Sequence, residues 1–248
     1  MLCSAPETGT RLGFIVTNLE PPPDGGAVLF QAGDDRAMDQ GGQSVLEPRA
    51  AAELKLNIGC GISGIEGWVN IDNSPTILLS RLPLGQQIFH TPRWPRDVHR
   101  ADVRKGIPFP ESSVSCIYSS HVFPGFTYGE SQAVARECFR VLKPGGVLRI
   151  VVPDLGILVR DYLADTADPM ASHRFISRLL LTSSVRDIVH PGAHNKQMFD
   201  ARSLVHMLRG AGFRAPEVST FGCSQIADIA EIELESRRFE SLYVEAEK

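Results

Sequence analysis

Leu54-Lys55-Leu56-Asn57-Ile58-Gly59-Cys60-Gly61-Ile62-Ser63-Gly64, followed closely by Trp68-Val69-Asn70-Ile71-Asp72, decides the fold class of this 248-residue chain. Leu54, Leu56 and Ile58 alternate with polar residues, as a short strand entering a core does, and the run then breaks into glycines spaced G-x-G-x-x-G. Glycine at these places permits a tight turn and lets backbone N–H groups approach a ligand. The second run reads as another strand, ending in the carboxylate of Asp72. Strand, glycine turn and acid-tipped second strand form the nucleotide-binding half of a doubly wound α/β domain, whose ligands sit at the carboxyl ends of the strands.

Working outward toward the C-terminus, Val98–Val103 reads as a third strand with Asp102 near its end. Ile107-Pro108-Phe109-Pro110 turns the chain into a fourth strand, Ser115–Ser120. Thr127-x-x-Glu130 has the form of a capping box, and Val134, Cys138, Val141 and Leu142 follow helical spacing up to Lys143. Pro144-Gly145-Gly146 is expected to stop that helix ahead of a fifth strand, Val147–Val152. Asp154 is placed to cap a helix with Leu155, Leu158, Val159, Tyr162 and Leu163 on one side, and Ser172–Leu181 reads as another, with Phe175, Ile176, Leu179 and Leu180 inward. Asp200 caps the cleanest helix, with Ala201, Leu204, Val205, Leu208 and Ala211 in one stripe ended by Gly210 or Gly212. Val218–Phe221 and Ser241–Glu245 read as two closing strands. The alternation predicts an α/β fold with a seven-stranded, mostly parallel sheet and helices on both faces.

Working back toward the N-terminus, residues 1–50 differ in character from residues 51–248, which form the domain proper. Gly13–Val16 and Ala27–Phe30 are short apolar runs joined by Pro21-Pro22-Pro23-Asp24-Gly25-Gly26, the pattern of a β-hairpin followed by a linker. The extension is expected to serve packing or contact in a homodimer rather than to cover a substrate.

Composition narrows the function classes. A hydrophobic fraction of 43% with 22% charged residues is ordinary for a soluble globular protein. The net charge of −4 argues against binding duplex nucleic acid, whose phosphates need a basic surface. The five cysteines are scattered, without C-x-x-C spacing, so neither a zinc site nor a disulfide framework is indicated, and a reducing cytoplasm is the expected location. The start lacks the pattern of a signal peptide, and no apolar run approaches a membrane span.

In their order, these pieces resemble the class I S-adenosylmethionine-dependent methyltransferases. Lys55–Gly61 is similar to the family's first motif, Gly67–Asp72 to its second-strand acid, and Asp102 with Ile107-Pro108-Phe109 to its adenine-side acid and loop. Glu137-x-x-Arg140-Val141-Leu142-Lys143-Pro144-Gly145-Gly146 resembles the helix and turn before the fifth strand, and Leu204-x-x-x-Leu208-x-x-Ala211-Gly212-Phe213 the late helix with its Gly-Phe step. Arg238–Ala246 looks like the ending of bacterial methyltransferases met near surface-sugar or natural-product pathways. The chain departs from the pattern at Asn57, where an acid is common, and at His121-Val122-Phe123, where Glu-His is common after the fourth strand.

The resemblance implies S-adenosylmethionine as cofactor, held by Asn57, Gly59, Cys60 and Gly61 in the first turn, by Asp72 and Asn73 at the ribose, by Asp102 and Val103 at the adenine, and by Ser119 and His121 after the fourth strand. The carboxylate of Asp72 would accept from two ribose hydroxyls, and that of Asp102 from the adenine amino group. The cofactor brings its own activated electrophile, so the protein contributes alignment, exclusion of water and, for a hydroxyl acceptor, a base. His121 and His194 are the candidate bases, and a small-molecule oxygen on a sugar or metabolite is the first-choice acceptor. The i, i+4 pair His190 and His194 would suggest a metal on a helix, but Pro191 and Gly192 between them argue against one, so no metal is expected. Two other readings stay open: a nicotinamide-dependent oxidoreductase, which reuses the glycines and the ribose acid, and a non-catalytic S-adenosylmethionine-binding subunit.

Overall fold

The computed structural model describes residues 53–62, 64–82, 93–180 and 194–248. The expected N-terminal hairpin, the linker and His190 lie outside these residues. Seven strands make one sheet: β1 (Lys55–Ile58), β2 (Val69–Asp72), β3 (His99–Arg100), β4 (Val114–Ser120), β5 (Leu142–Pro153), β6 (Arg214–Ser219) and β7 (Ser241–Glu247). Their order is β3-β2-β1-β4-β5-β7-β6, parallel except for β7, which runs antiparallel to both β5 and β6. The order reverses between β1 and β4, and ligands of open α/β sheets lie at that switch point.

Alternation within the strands sorts the core onto two faces. Leu56, Ile58, Val69, Ile71, Ile117, Leu148, Ile150, Leu242 and Val244 pack on one side with helices α2 (Tyr128–Val141) and α5 (Ala201–Gly210). Both helices begin as their sequences require, α2 with the Thr127–Glu130 capping box and α5 with a reciprocal Asp200–Ser203 box. Cys116, Tyr118, Val147, Val151 and Tyr243 face the other side. There the cover comes from the β6–β7 connection, through Ile226, Ile229 and Ile232, the last two on the short helix α6 (Ile229–Ile232).

That connection is clamped to the sheet by Arg149 of β5, whose side chain is fully buried. Its Nε donates to Glu233 (2.8 Å), Nη1 to the carbonyl of Cys223 (2.8 Å) and Nη2 to that of Thr220 (2.8 Å), while Glu245 of β7 lies 3.5 Å away. A buried cation needs this full set of partners to be tolerated. Lys55 of β1 and Trp68 both bind Asp228 on the same connection (2.8 and 3.0 Å).

Several boundaries move from their expected places. Helix α2 ends at Val141, and Lys143–Gly146 already belongs to β5, because Gly145 N–H and Gly146 C=O pair with Lys248 at the end of β7. The Pro-Gly-Gly step is therefore strand edge, with Gly145 at φ +76°, and not a turn ahead of the strand. β3 shrinks to His99–Arg100, so Asp102 lies beyond it and caps a 3₁₀ turn over Val103–Lys105. β6 starts earlier than expected, at Arg214, and stops at Ser219. The helices α3 (Leu155–Ala164) and α4 (Ala171–Leu180) form where expected, but only Leu158 and Ala171 on them are buried, whereas Leu163 is 66% exposed. They pack mainly on each other, as the Tyr162–Phe175 ring stack (4.9 Å) shows, so their stripes do not reach the main core. A short helix, α1 (Thr76–Ser80), follows β2.

Candidate active site

The connection from β1 to β2 carries no helix among its described residues, and Asn70 of β2 organises it instead. Its buried amide accepts from Ile65 N–H (2.9 Å) and from Asn57 Nδ2 (3.1 Å), and donates to the carbonyls of Ile65 (3.0 Å) and Trp68 (3.2 Å). Asn57 is thus buried and engaged with Asn70, an amide pair inside the sheet. The glycine turn folds tightly: Gly59 N–H donates to Ile71 C=O (2.7 Å), and Gly59 and Gly61 take φ values of +70° and +61°. A Cβ on Gly59 would lie 2.0 Å from Val122 Cγ2, so the tail of β4 rests directly on this turn. Glycine is required there by conformation and by space alike.

Asp72 stands at the tip of β2. One oxygen accepts from Gly61 N–H (3.0 Å) and the other from Ser74 N–H (2.8 Å). These bonds fix the carboxylate at the mouth of the turn and leave each oxygen a further lone pair for a diol. Asn73 follows on the exposed side, and Cys60 is buried with its thiol toward Gly61 C=O (3.3 Å). Burial raises the Cys60 thiol well above its ordinary range, so it is no thiolate nucleophile. Asp102 accepts from Arg104 through both oxygens (2.8 Å each), and this guanidinium holds its carboxyl below the usual carboxylate range. Val103, beside it, is buried.

Ser119 and His121 end β4. The Ser119 hydroxyl is fully buried without a hydrogen-bond partner, an arrangement that calls for an explanation. His121 adopts φ +59°, a left-handed backbone uncommon outside glycine, stabilised by its N–H donating to Val151 C=O (2.8 Å). Its Nδ1 lies 3.1 Å from Ser120 Oγ and its Nε2 4.0 Å from Glu240 Oε1. His194 lies in a different setting. Its successor Asn195 binds the carbonyls of Leu179 and Leu180 at the end of α4, and Lys196 and Gln197 donate to Pro124 C=O (2.7 and 3.3 Å). The described part of that loop is therefore sewn onto the 3₁₀ turn Phe123–Gly125 just past His121.

The candidate cofactor residues and His121 fall inside residues 56–150, which match the family model described as a methyltransferase domain. This match supports S-adenosylmethionine-dependent methyl transfer, with S-adenosylmethionine as the cofactor. The match runs from β1 nearly to the end of β5, and so takes in the glycine turn and the tips of β2, β3 and β4. Solved structures with a similar fold include an S-adenosylmethionine-dependent methyltransferase from Mesorhizobium loti (18% identity, 82% of this chain and 94% of that one, TM-score 0.47). Another comes from Methanosarcina mazei (18% identity, 80% and 93% covered, TM-score 0.46). No curated protein matches the chain by sequence.

Two features of the site escape sequence reading. Glu240 falls within the Arg238–Ala246 run, but nothing in its local sequence marks it as a neighbour of His121. Asn70 reads from sequence only as a strand residue, although its place opposite Asn57, where an acid is common, is the signal that could have found it. Among the described residues, no group of three His, Cys, Asp or Glu side chains is placed to hold a metal, and no helix is long and apolar enough to cross a membrane.

Proposed function

We propose that the protein methylates a hydroxyl of a small molecule, a sugar or natural-product intermediate, and that His121 takes the hydroxyl proton. The observation that carries this reading is the strained His121 at the tip of β4, beside a Val122 that rests on Gly59. A histidine held at φ +59° within one residue of the glycine turn is positioned by tertiary contacts, and such strain is usual where alignment matters. His194 belongs to a loop that closes on the Phe123–Gly125 turn and is the second candidate.

The residues present suit the cofactor. Gly59, Cys60 and Gly61, with Asn57 behind them, form the wall against the methionine part, and the buried Ser119 hydroxyl has bonding capacity to offer beside it. Asp72 and Asn73 serve the ribose, and Asp102 and Val103 the adenine. When bound, S-adenosylmethionine supplies a methyl group already activated by a sulfonium. The chain's own part is to hold the acceptor oxygen in line, keep water out and receive a proton. Residues 121–128, the α3–α4 pair and the loop ending at Phe199 would wall the acceptor. Residues 1–50 would serve packing or a homodimer contact. The scattered cysteines, without C-x-x-C spacing, support a cytoplasmic location, and Arg238–Ala246 a bacterial pathway setting.

Calorimetry and turnover test this reading together. S-adenosylhomocysteine should bind at micromolar strength and NAD should not. Screening against an acceptor panel should find hydroxyl substrates, and His121→Asn should keep cofactor affinity while losing about a hundredfold or more in turnover. Tight NAD binding would favour the oxidoreductase reading, binding without turnover on any acceptor a non-catalytic subunit, and full turnover in His121→Asn an acceptor that needs no base from this residue.

A further inference from the structure

Glu240 sits just ahead of β7 at 9% exposure, and its Oε1 is buried without a hydrogen-bond partner. Leaving such an oxygen unsatisfied is unfavourable, and native structures seldom do so without a reason. Its backbone explains why it stays there. The Glu240 carbonyl accepts from Asp154 N–H (2.9 Å) and its N–H donates to Arg237 C=O (3.4 Å), so the β5–α3 junction sets its place.

The carboxylate faces His121 Nε2 at 4.0 Å, the outer limit of an ion pair and about an ångström beyond a hydrogen bond. On the other side of the ring, Ser120 Oγ lies 3.1 Å from Nδ1 and accepts from Arg237 Nη1 (3.2 Å). Among the described residues, Arg178 of α4 and Arg237 of the 3₁₀ turn Glu235–Arg237 act on Glu240, and the Tyr118 phenol lies beside Ser120. Burial outweighs both arginines and pushes the Glu240 carboxyl up to about 7, where imidazole also titrates.

We propose that Glu240 is the positioning residue for His121, its carboxylate holding the Nε2 side of the ring so that Nδ1 is presented to Ser120 as the proton acceptor. The proposal rests on the reading of His121 as the base. Arg237 turns the Ser120 hydroxyl so that it accepts from the guanidinium and donates to Nδ1. As the acceptor hydroxyl passes its proton to Ser120 Oγ, Ser120 passes its own to Nδ1. One O–H bond on the substrate breaks, an N–H bond forms on the ring, and the bonding pair stays on the substrate oxygen. The imidazolium that results faces the Glu240 carboxylate, which stabilises it as a carboxylate stabilises the histidine of a hydrolase triad.

The test reads the His121 ring by NMR in the full chain labelled at histidine, with S-adenosylhomocysteine present, over roughly pH 5 to 8. Wild-type ring resonances should move in two steps, one at the ring's own midpoint and one as Glu240 ionises. In Glu240→Gln the second step should vanish and the midpoint should fall by about one pH unit, a tenfold loss of proton affinity, as expected when a neighbouring carboxylate is removed. Glu240→Asp should restore both steps. A single-step wild-type curve overturns the assignment, and this measurement decides the matter even if Glu240→Gln does not fold. An unchanged midpoint in a folded Glu240→Gln that binds S-adenosylhomocysteine overturns it as well. Full turnover in His121→Asn would instead remove the base reading, and the proton step with it, so the two failures are told apart.

Discussion

The two halves of the sheet's carboxyl edge are built on opposite terms. Around β1, β2 and β3 the polar groups are engaged: Asp72 by two backbone N–H groups, Asp102 by Arg104, and Asn57 and Asn70 by each other and the glycine turn. Around β4, β5 and β7, the Ser119 hydroxyl and one Glu240 oxygen are buried without partners, and His121 has a strained backbone. On the proposed reading, the first half recognises a ligand whose shape does not change, so it can be fully preorganised. The second half is where a proton would change place, so its groups keep bonding capacity in reserve at the expense of stability.

The sharpest way to break this comparison is at the seam between the halves. Gly59→Val places a Cβ on Val122 and a β-branched residue at φ +70°, so S-adenosylhomocysteine binding measured by calorimetry should fall by about a hundredfold or more, a loss of roughly 2.7 kcal/mol. Near-normal affinity would mean that the turn and the β4 tail part easily and that the halves are mechanically independent.

A second measurement asks whether the acceptor half truly stores instability. Below the ordinary glutamate value of 4.5, Glu240 is protonated in both folded and unfolded chains and has no effect. As pH rises toward about 7 the unfolded chain ionises first, so the folded state loses relative stability, and the penalty is complete above that value. Glu240→Gln removes the penalty. Each tenfold change in proton affinity is worth about 1.4 kcal/mol, so denaturant unfolding should show the variant gaining on wild type between acid and mildly alkaline pH by at most about 3 kcal/mol. A difference that stays constant across that range would refute the stored cost.

The smallest effects should come from the cofactor half, taken acid by acid. Asp72→Asn keeps the shape and weakens a charge-assisted acceptor worth roughly 1.5–3 kcal/mol, so S-adenosylhomocysteine affinity should drop by about tenfold or more. Asp102→Ala should lose less, because its carboxylate is already shared with Arg104 and buried Val103 packs beside it. The reverse order would show that the adenine side, and not the ribose side, anchors the ligand.

Much of this was legible from sequence where local rules govern. The β1 and β2 strands, the capping box at Thr127 and the Asp200 cap follow from short-range chemistry and formed as expected. The Lys143–Gly146 step misled because Pro and Gly usually mark turns, whereas here the chain's last residues pair with it and draw it into β5. The apolar stripes of α3 and α4 misled in another way: periodicity reports that a face is apolar, and it cannot report whether the sheet or only a neighbouring helix meets it.

The amino-acid order by itself determined the α/β class, the glycine turn with its following acid and the sites where helices begin, because each depends on conformational preferences and bonds spanning a few residues. Only the tertiary structure decided the partners of Asn57 and His121, the role of Arg149 in clamping the β6–β7 connection, and the approach of Glu240 to the tip of β4. Residues 121 and 240 are brought together by the placement of β5 and β7 side by side, a pairing across the sheet that no local pattern encodes.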